Sequence, residues 1–99
     1  MATLHVALQE GFLDDTVSIR AGDHEVLRRE HVKTRVQTGY AGSGDVDVPD
    51  GPVELRVEVP SQRLASTVTV DTAEAPYLGV SIVGGAIRLR ASREPFGYL

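Results

Sequence analysis

Few side chains in this sequence could hold a metal or move a proton. Histidine occurs three times, as His5, His24 and His31, and Asp23 and Glu25 flank His24. An imidazole between two carboxylates, met in space by a second imidazole, has the nitrogen and oxygen donors that zinc takes. Asp23, His24, Glu25 and His31 are therefore the candidate metal or small-ligand residues. No two histidines stand four apart, and His5 lies between Leu4 and Val6, on the solvent side of an alternating strand. Surface histidines are the expected reading, and no cofactor is expected. The stretch DVDVPDG, Asp45 to Gly51, has the look of a calcium loop. Its third ligand position falls on Pro49 and no glutamate stands at the twelfth. Alternation accounts for it better: Asp45 and Asp47 face out, Val46 and Val48 face in, and Asp50 with Gly51 turns the chain.

Nucleophilic chemistry finds no support. Cysteine is absent, which excludes a thiol nucleophile, a thiolate metal cluster and a disulfide framework. Ser43 does not sit in a G-x-S-x-G elbow, since position 41 is alanine and a strand-turn-helix context is absent. The glycines of GYAGSG, Gly39, Gly42 and Gly44, are not followed by a helix or a lysine, so a phosphate cradle is not expected there. The Gly39–Gly44 segment reads as a flexible connector that carries Tyr40. Asp14 and Asp15 follow GFL, where a turn or a solvated loop explains a carboxylate pair. A protein that is not an enzyme is expected.

The elements that must position these residues are strands. In PVELRVEVP, Val53, Leu55, Val57 and Val59 alternate with Glu54, Arg56 and Glu58, giving one apolar and one charged face. The same rhythm places Leu4, Val6 and Leu8 together, then Val17 with Ile19, Val32 with Val36, Leu64 with Val68 and Val70, Leu78 with Val80 and Ile82, and Ile87 with Leu89. Asp50-Gly51-Pro52 and Val83-Gly84-Gly85 mark turns, the latter closing a final hairpin. Pro60 ends its strand because it has no N–H for a ladder. DHEVLRREHV could be helical, but it is short and lacks an apolar stripe, so strand and loop are expected. Seven or eight short strands in 99 residues predict an all-β protein: one domain over 1–99, an antiparallel β-sandwich of immunoglobulin-like or prealbumin-like form.

From Val17 to Val70 the order VSIRAGDHEV, DVDVPDGPVELRVEVP and ASTVTVD resembles the small β-sandwich add-on domains of the immunoglobulin-like, carboxypeptidase-regulatory-like and PEGA groups. The resemblance covers about half of the chain and consists of strand and turn pattern. The chain has no cysteine pair, no tryptophan and no Pro-Glu-Gly-Ala signature. Such domains are binding or spacing modules, so the resemblance implies a non-catalytic binding role and transfers no functional residue.

The remaining signal is aromatic. Phe12, Tyr40, Tyr77, Phe96 and Tyr98 fall in expected loops or in the apolar tail REPFGYL, residues 93–99. Two uses of that tail are open: it plugs an end of the sandwich, or it docks on a second copy or on another protein. Tyr40, Phe96, Tyr98 and Leu99 are the candidate partner-binding residues. The expected function is an interaction module that binds a protein partner or itself through a sandwich edge, the glycine segment and the tail. A net charge of −4 disfavours nucleic acid and anionic membrane as partners. The opening residues have no basic and apolar leader pattern and no eighteen apolar residues run together, which predicts a soluble, cytoplasmic protein.

Overall fold

In the computed structural model, which describes residues 2–35, 37 and 39–96, alternation becomes eight strands. They are β1 (Ala2–Leu8), β2 (Leu13–Ala21), β3 (His24–Lys33), β4 (Gly42–Val48), β5 (Pro52–Val59), β6 (Leu64–Asp71), β7 (Tyr77–Val83) and β8 (Ala86–Ser92). A single 3-10 turn, Pro60–Gln62, joins β5 to β6. The strands form two four-stranded sheets, ordered β4-β1-β7-β8 and β3-β2-β5-β6. The inward residues of both sheets make one core, in which Leu4, Val6, Leu8, Val17, Ile19 and Leu55 are almost wholly excluded from water.

The expected sandwich is present, with one pairing that alternation does not reveal. β1 runs parallel to β7, with His5 opposite Tyr77 and Leu8 opposite Val80, while every other named pair is antiparallel. β7 enters the first sheet from the second, after β6, so no hairpin constrains its direction against β1. The β7–β8 hairpin turns on Gly84 and Gly85, both with positive φ of 61° and 75°. That is the backbone a two-residue turn needs to follow the twist of its strands.

DHEVLRREHV is strand, as expected, and pairs with β2 across the Gly22 turn. Its ladder holds three irregularities, one between Ile19 and Arg20 near the turn and two opposed ones at the far end. Asp14 is an extra residue in β2 between the pairs Leu13–Lys33 and Asp15–Val32, and His31 falls in an extra step of β3 before Val17–Arg29. Both have left-handed backbone, φ 66° and 57°, and His31 Nδ1 lies 3.0 Å from Asp14 Oδ1. One bulge shifts the register and the other shifts it back, so the apolar face of β2 stays on the core. The first bulge also explains why Leu13 is 78% exposed while Asp15, two residues on, is buried.

Three expectations need correction. The segment Gly39–Gly44 is not a connector throughout: from Gly42 on it is β4, paired to β1 with Leu8 opposite Gly42 and Val6 opposite Gly44. Glycine at 44 leaves room for Leu27 and Arg29, which lie within 3.1 Å and 2.9 Å of where a Cβ would stand. The expected strand at Val32 to Val36 ends at Lys33, because Thr34 spends its groups on the loop before β2: its hydroxyl donates to Gln9 O at 2.6 Å and accepts from Phe12 N–H at 3.0 Å. Asp15 is not solvated. It is 3% exposed, and its carboxylate accepts from Leu13 N–H at 2.7 Å, Ser61 hydroxyl at 2.6 Å and Gln62 amide at 2.8 Å.

Candidate functional site

The outward faces of the two sheets differ in kind. On the second sheet, Glu54, Arg56 and Glu58 of β5 face water, with Arg56 and Glu58 3.4 Å apart. That is an ordinary solvated surface. On the first sheet the parallel pairing of β1 and β7 brings His5 beside Tyr77, on one face because they are directly opposite in register. Their rings stack at 5.0 Å between centroids with planes 26° apart. From the other side β4 sets Asp45 opposite His5, and His5 Nδ1 lies 2.7 Å from Asp45 Oδ1. One imidazole thus joins a carboxylate on one neighbouring strand to a phenol ring on the other.

The tail completes this surface. After Ser92 the chain turns back, with the Ser92 hydroxyl donating to Glu94 O at 2.8 Å. Phe96 then lies over Gly79, its Cζ 3.1 Å from the point a Cβ would occupy, and the Arg90 guanidinium sits 5.5 Å from its ring centre. A glycine on the outer face of a strand leaves a dent, and an aromatic ring fills it; the cation adds its attraction for the ring face. So the described part of the tail packs on the outer face of the first sheet, not across an end of the sandwich. The end beside the β1–β2 connection is filled by Phe12 instead, which is fully buried and contributes about 2 kcal/mol by its burial. Tyr98 and Leu99 lie outside the described residues.

Between this tail and β4 runs an open groove of about 300 Å³, whose lining includes His5, Tyr40, Asp45, Tyr77 and Phe96. Tyr40 reaches it from the turn between β3 and β4, where Arg35 N–H donates to Tyr40 O at 3.0 Å and Gly39 N–H to Arg35 O at 2.8 Å. Two of the four residues expected to bind a partner, Tyr40 and Phe96, therefore meet in one groove. His5 and Tyr77 line the same groove and are not among the four. The signal was present in part, since His5 was placed on the solvent side of its strand, but its neighbour across a parallel ladder has no local trace in the sequence.

The metal candidates do not come together. His24 and His31 open and nearly close β3, roughly 23 Å apart at strand rise. Glu25 accepts the Ser18 hydroxyl at 2.6 Å and approaches Arg28 at 3.7 Å, while His31 is engaged with Asp14. Among the described residues no group of three or more histidine, aspartate or glutamate side chains converges as a metal would need. Likewise no helix of the described residues is long and apolar enough to cross a membrane.

Among the described residues, the one titratable group clearly displaced from its ordinary value is Asp15. Burial pushes this carboxyl up, but the Leu13 N–H, the Ser61 hydroxyl and the Gln62 amide together outweigh it and hold the group below the usual carboxylate value. Its partners lie in β2 and in the 3-10 turn after β5, so the charge ties that turn to the β2 strand. Asp15 is a structural latch, apart from the groove. No family model matches this chain, and no match is found among curated proteins.

Proposed function

We propose that this chain is a non-catalytic interaction module that holds a short segment of a protein partner in the groove on the outer face of the first sheet. The observation that carries this reading is the gathering of His5, Tyr40, Tyr77 and Phe96 around one open groove, where aromatic side chains supply large contact area at low conformational cost. Asp45 at one wall, with Asp47 exposed farther along the same strand, favours a segment that pairs an apolar side chain with a lysine or arginine. The resemblance of residues 17–70 to sandwich modules that bind or space adds to this reading. Nucleic acid is a poor occupant, because the chain is net acidic and the groove wall carries a carboxylate.

The test is an array of ten-residue peptides, each with a central Phe, Tyr or Pro flanked by lysine and arginine, beside a matched array flanked by glutamate. The basic set should bind the full chain more tightly than the acidic set. Tyr77→Ala should weaken binding by more than tenfold, as removal of a central aromatic anchor does. Equal binding of both arrays, or binding indifferent to Tyr77→Ala, would refute the proposal.

A further inference from the structure

Four strands end the two sheets, and they are protected unequally. β3 is bulged and exposes Arg28, Arg29, Glu30 and Lys33. β4 carries Asp45 and Asp47 on its outer face, and β8 carries Arg88 and Arg90. Charges and bulges of this kind keep an edge from accepting another strand. β6 has neither until its last residue: LASTVTV is uncharged and rich in threonine and valine, and it pairs with β5 over eight consecutive positions without a register shift. The side of β6 turned away from β5 is a straight row of backbone donors and acceptors.

We propose that β6 is a self-association edge, pairing antiparallel with β6 of a second copy of this chain about a two-fold axis at Thr67. That axis sets Thr67 opposite Thr67, Ala65 opposite Thr69 and Ser66 opposite Val68, with no like charges facing each other. β8 is the poorer edge, since pairing with itself about its central residue, Leu89, sets Arg88 against Arg90. The two edges lie one above the other, and their inward side chains Leu64, Val68, Ile87 and Leu89 are only partly buried. A second copy covers both rows at once. The strip is about 27 Å long at strand rise and about 20 Å wide, as two sheets stacked roughly 10 Å apart with their side chains would make it. That makes roughly 500 Å² per protomer and on the order of 1,000 Å² in all, the size at which specific interfaces begin. This inference goes beyond the groove reading and uses none of the groove's residues.

Sedimentation equilibrium of the full chain, from micromolar to millimolar concentration, tests it. The chain should approach twice its own mass as concentration rises. Thr67 is exposed, so Thr67→Lys and Thr67→Glu keep the fold; each should raise the dimer dissociation constant at least tenfold, and an equimolar mixture should restore association as lysine meets glutamate across the axis. Arg90→Ser should leave the dimer intact. In the unmodified chain, hydrogen exchange of alternate β6 amides should slow as concentration rises. A monomer at every concentration, a dimer indifferent to both Thr67 variants, β6 amides indifferent to concentration, or a dimer abolished by Tyr77→Ala alone would overturn the proposal; loss of peptide binding with the dimer retained concerns the groove only.

Discussion

Removing the Asp15 carboxylate should weaken the fold more than any exposed charge would, and in a way that depends on pH. Three donors converge on it, from Leu13, Ser61 and Gln62. Hydrogen bonds to a charged acceptor contribute about 1.5–3 kcal/mol each. Ser61 is exposed and Gln62 half-exposed, so water takes over part of their share once the carboxylate is gone. Asp15→Ala should therefore cost about 3 kcal/mol, which for a domain of this size lowers Tm by roughly 12–20 °C. Asp15→Asn should cost only about 1 kcal/mol: the amide oxygen keeps the two N–H donors, and the Ser61 hydroxyl reverses to accept from the new NH₂. Because the folded carboxyl titrates below its unfolded value of roughly 4, its stabilisation is complete above that pH and is lost as pH falls through the folded value. Urea unfolding at pH 7 and at successively lower pH should thus show the unmodified chain and Asp15→Asn converging in acid. An Asp15→Ala variant within 1 kcal/mol of the unmodified chain, or a gap to Asp15→Asn that widens in acid, would refute the latch.

Substitutions at two further positions probe how the strands are placed. Gly11 has φ 90°, and a Cβ there would stand 2.1 Å from the Ile82 carbonyl oxygen; Gly11→Ala should cost more than about 2 kcal/mol in urea unfolding, since both backbone strain and overpacking oppose it. At the paired bulges, Asp14→Gly relieves the left-handed backbone but loses the His31 contact and should stay within about 1 kcal/mol of the unmodified chain, whereas Asp14→Val should cost about 2 kcal/mol. Equal stability of the Gly and Val variants would show that residue 14 does not hold the bulge.

Much of the fold was legible because strand alternation is a local rule. Val53, Leu55, Val57 and Val59 face inward in β5 for the reason their spacing indicates, with only Val53 left partly exposed. Gly84 and Gly85 turn the last hairpin because few other residues tolerate that backbone. Alternation is interrupted by the extra residue at 14, which leaves apolar Leu13 exposed, whereas Asp15 keeps step with Val17 and Ile19 and is buried despite its charge. A bulge is a property of two strands together, so neither β2 nor β3 announces it alone.

The candidate site divides along the same line. Residue type alone made Tyr40 and Phe96 candidate contact residues and set Asp45 on an outward face, because polarity and period act within a few residues. Tertiary structure decided that His5 stacks on Tyr77, that Phe96 fills the dent at Gly79, and that His24 and His31 stand far apart. These facts follow from strand order and from the parallel β1–β7 ladder, which are set by how two sheets bury one shared core, and no short stretch of chain contains that information.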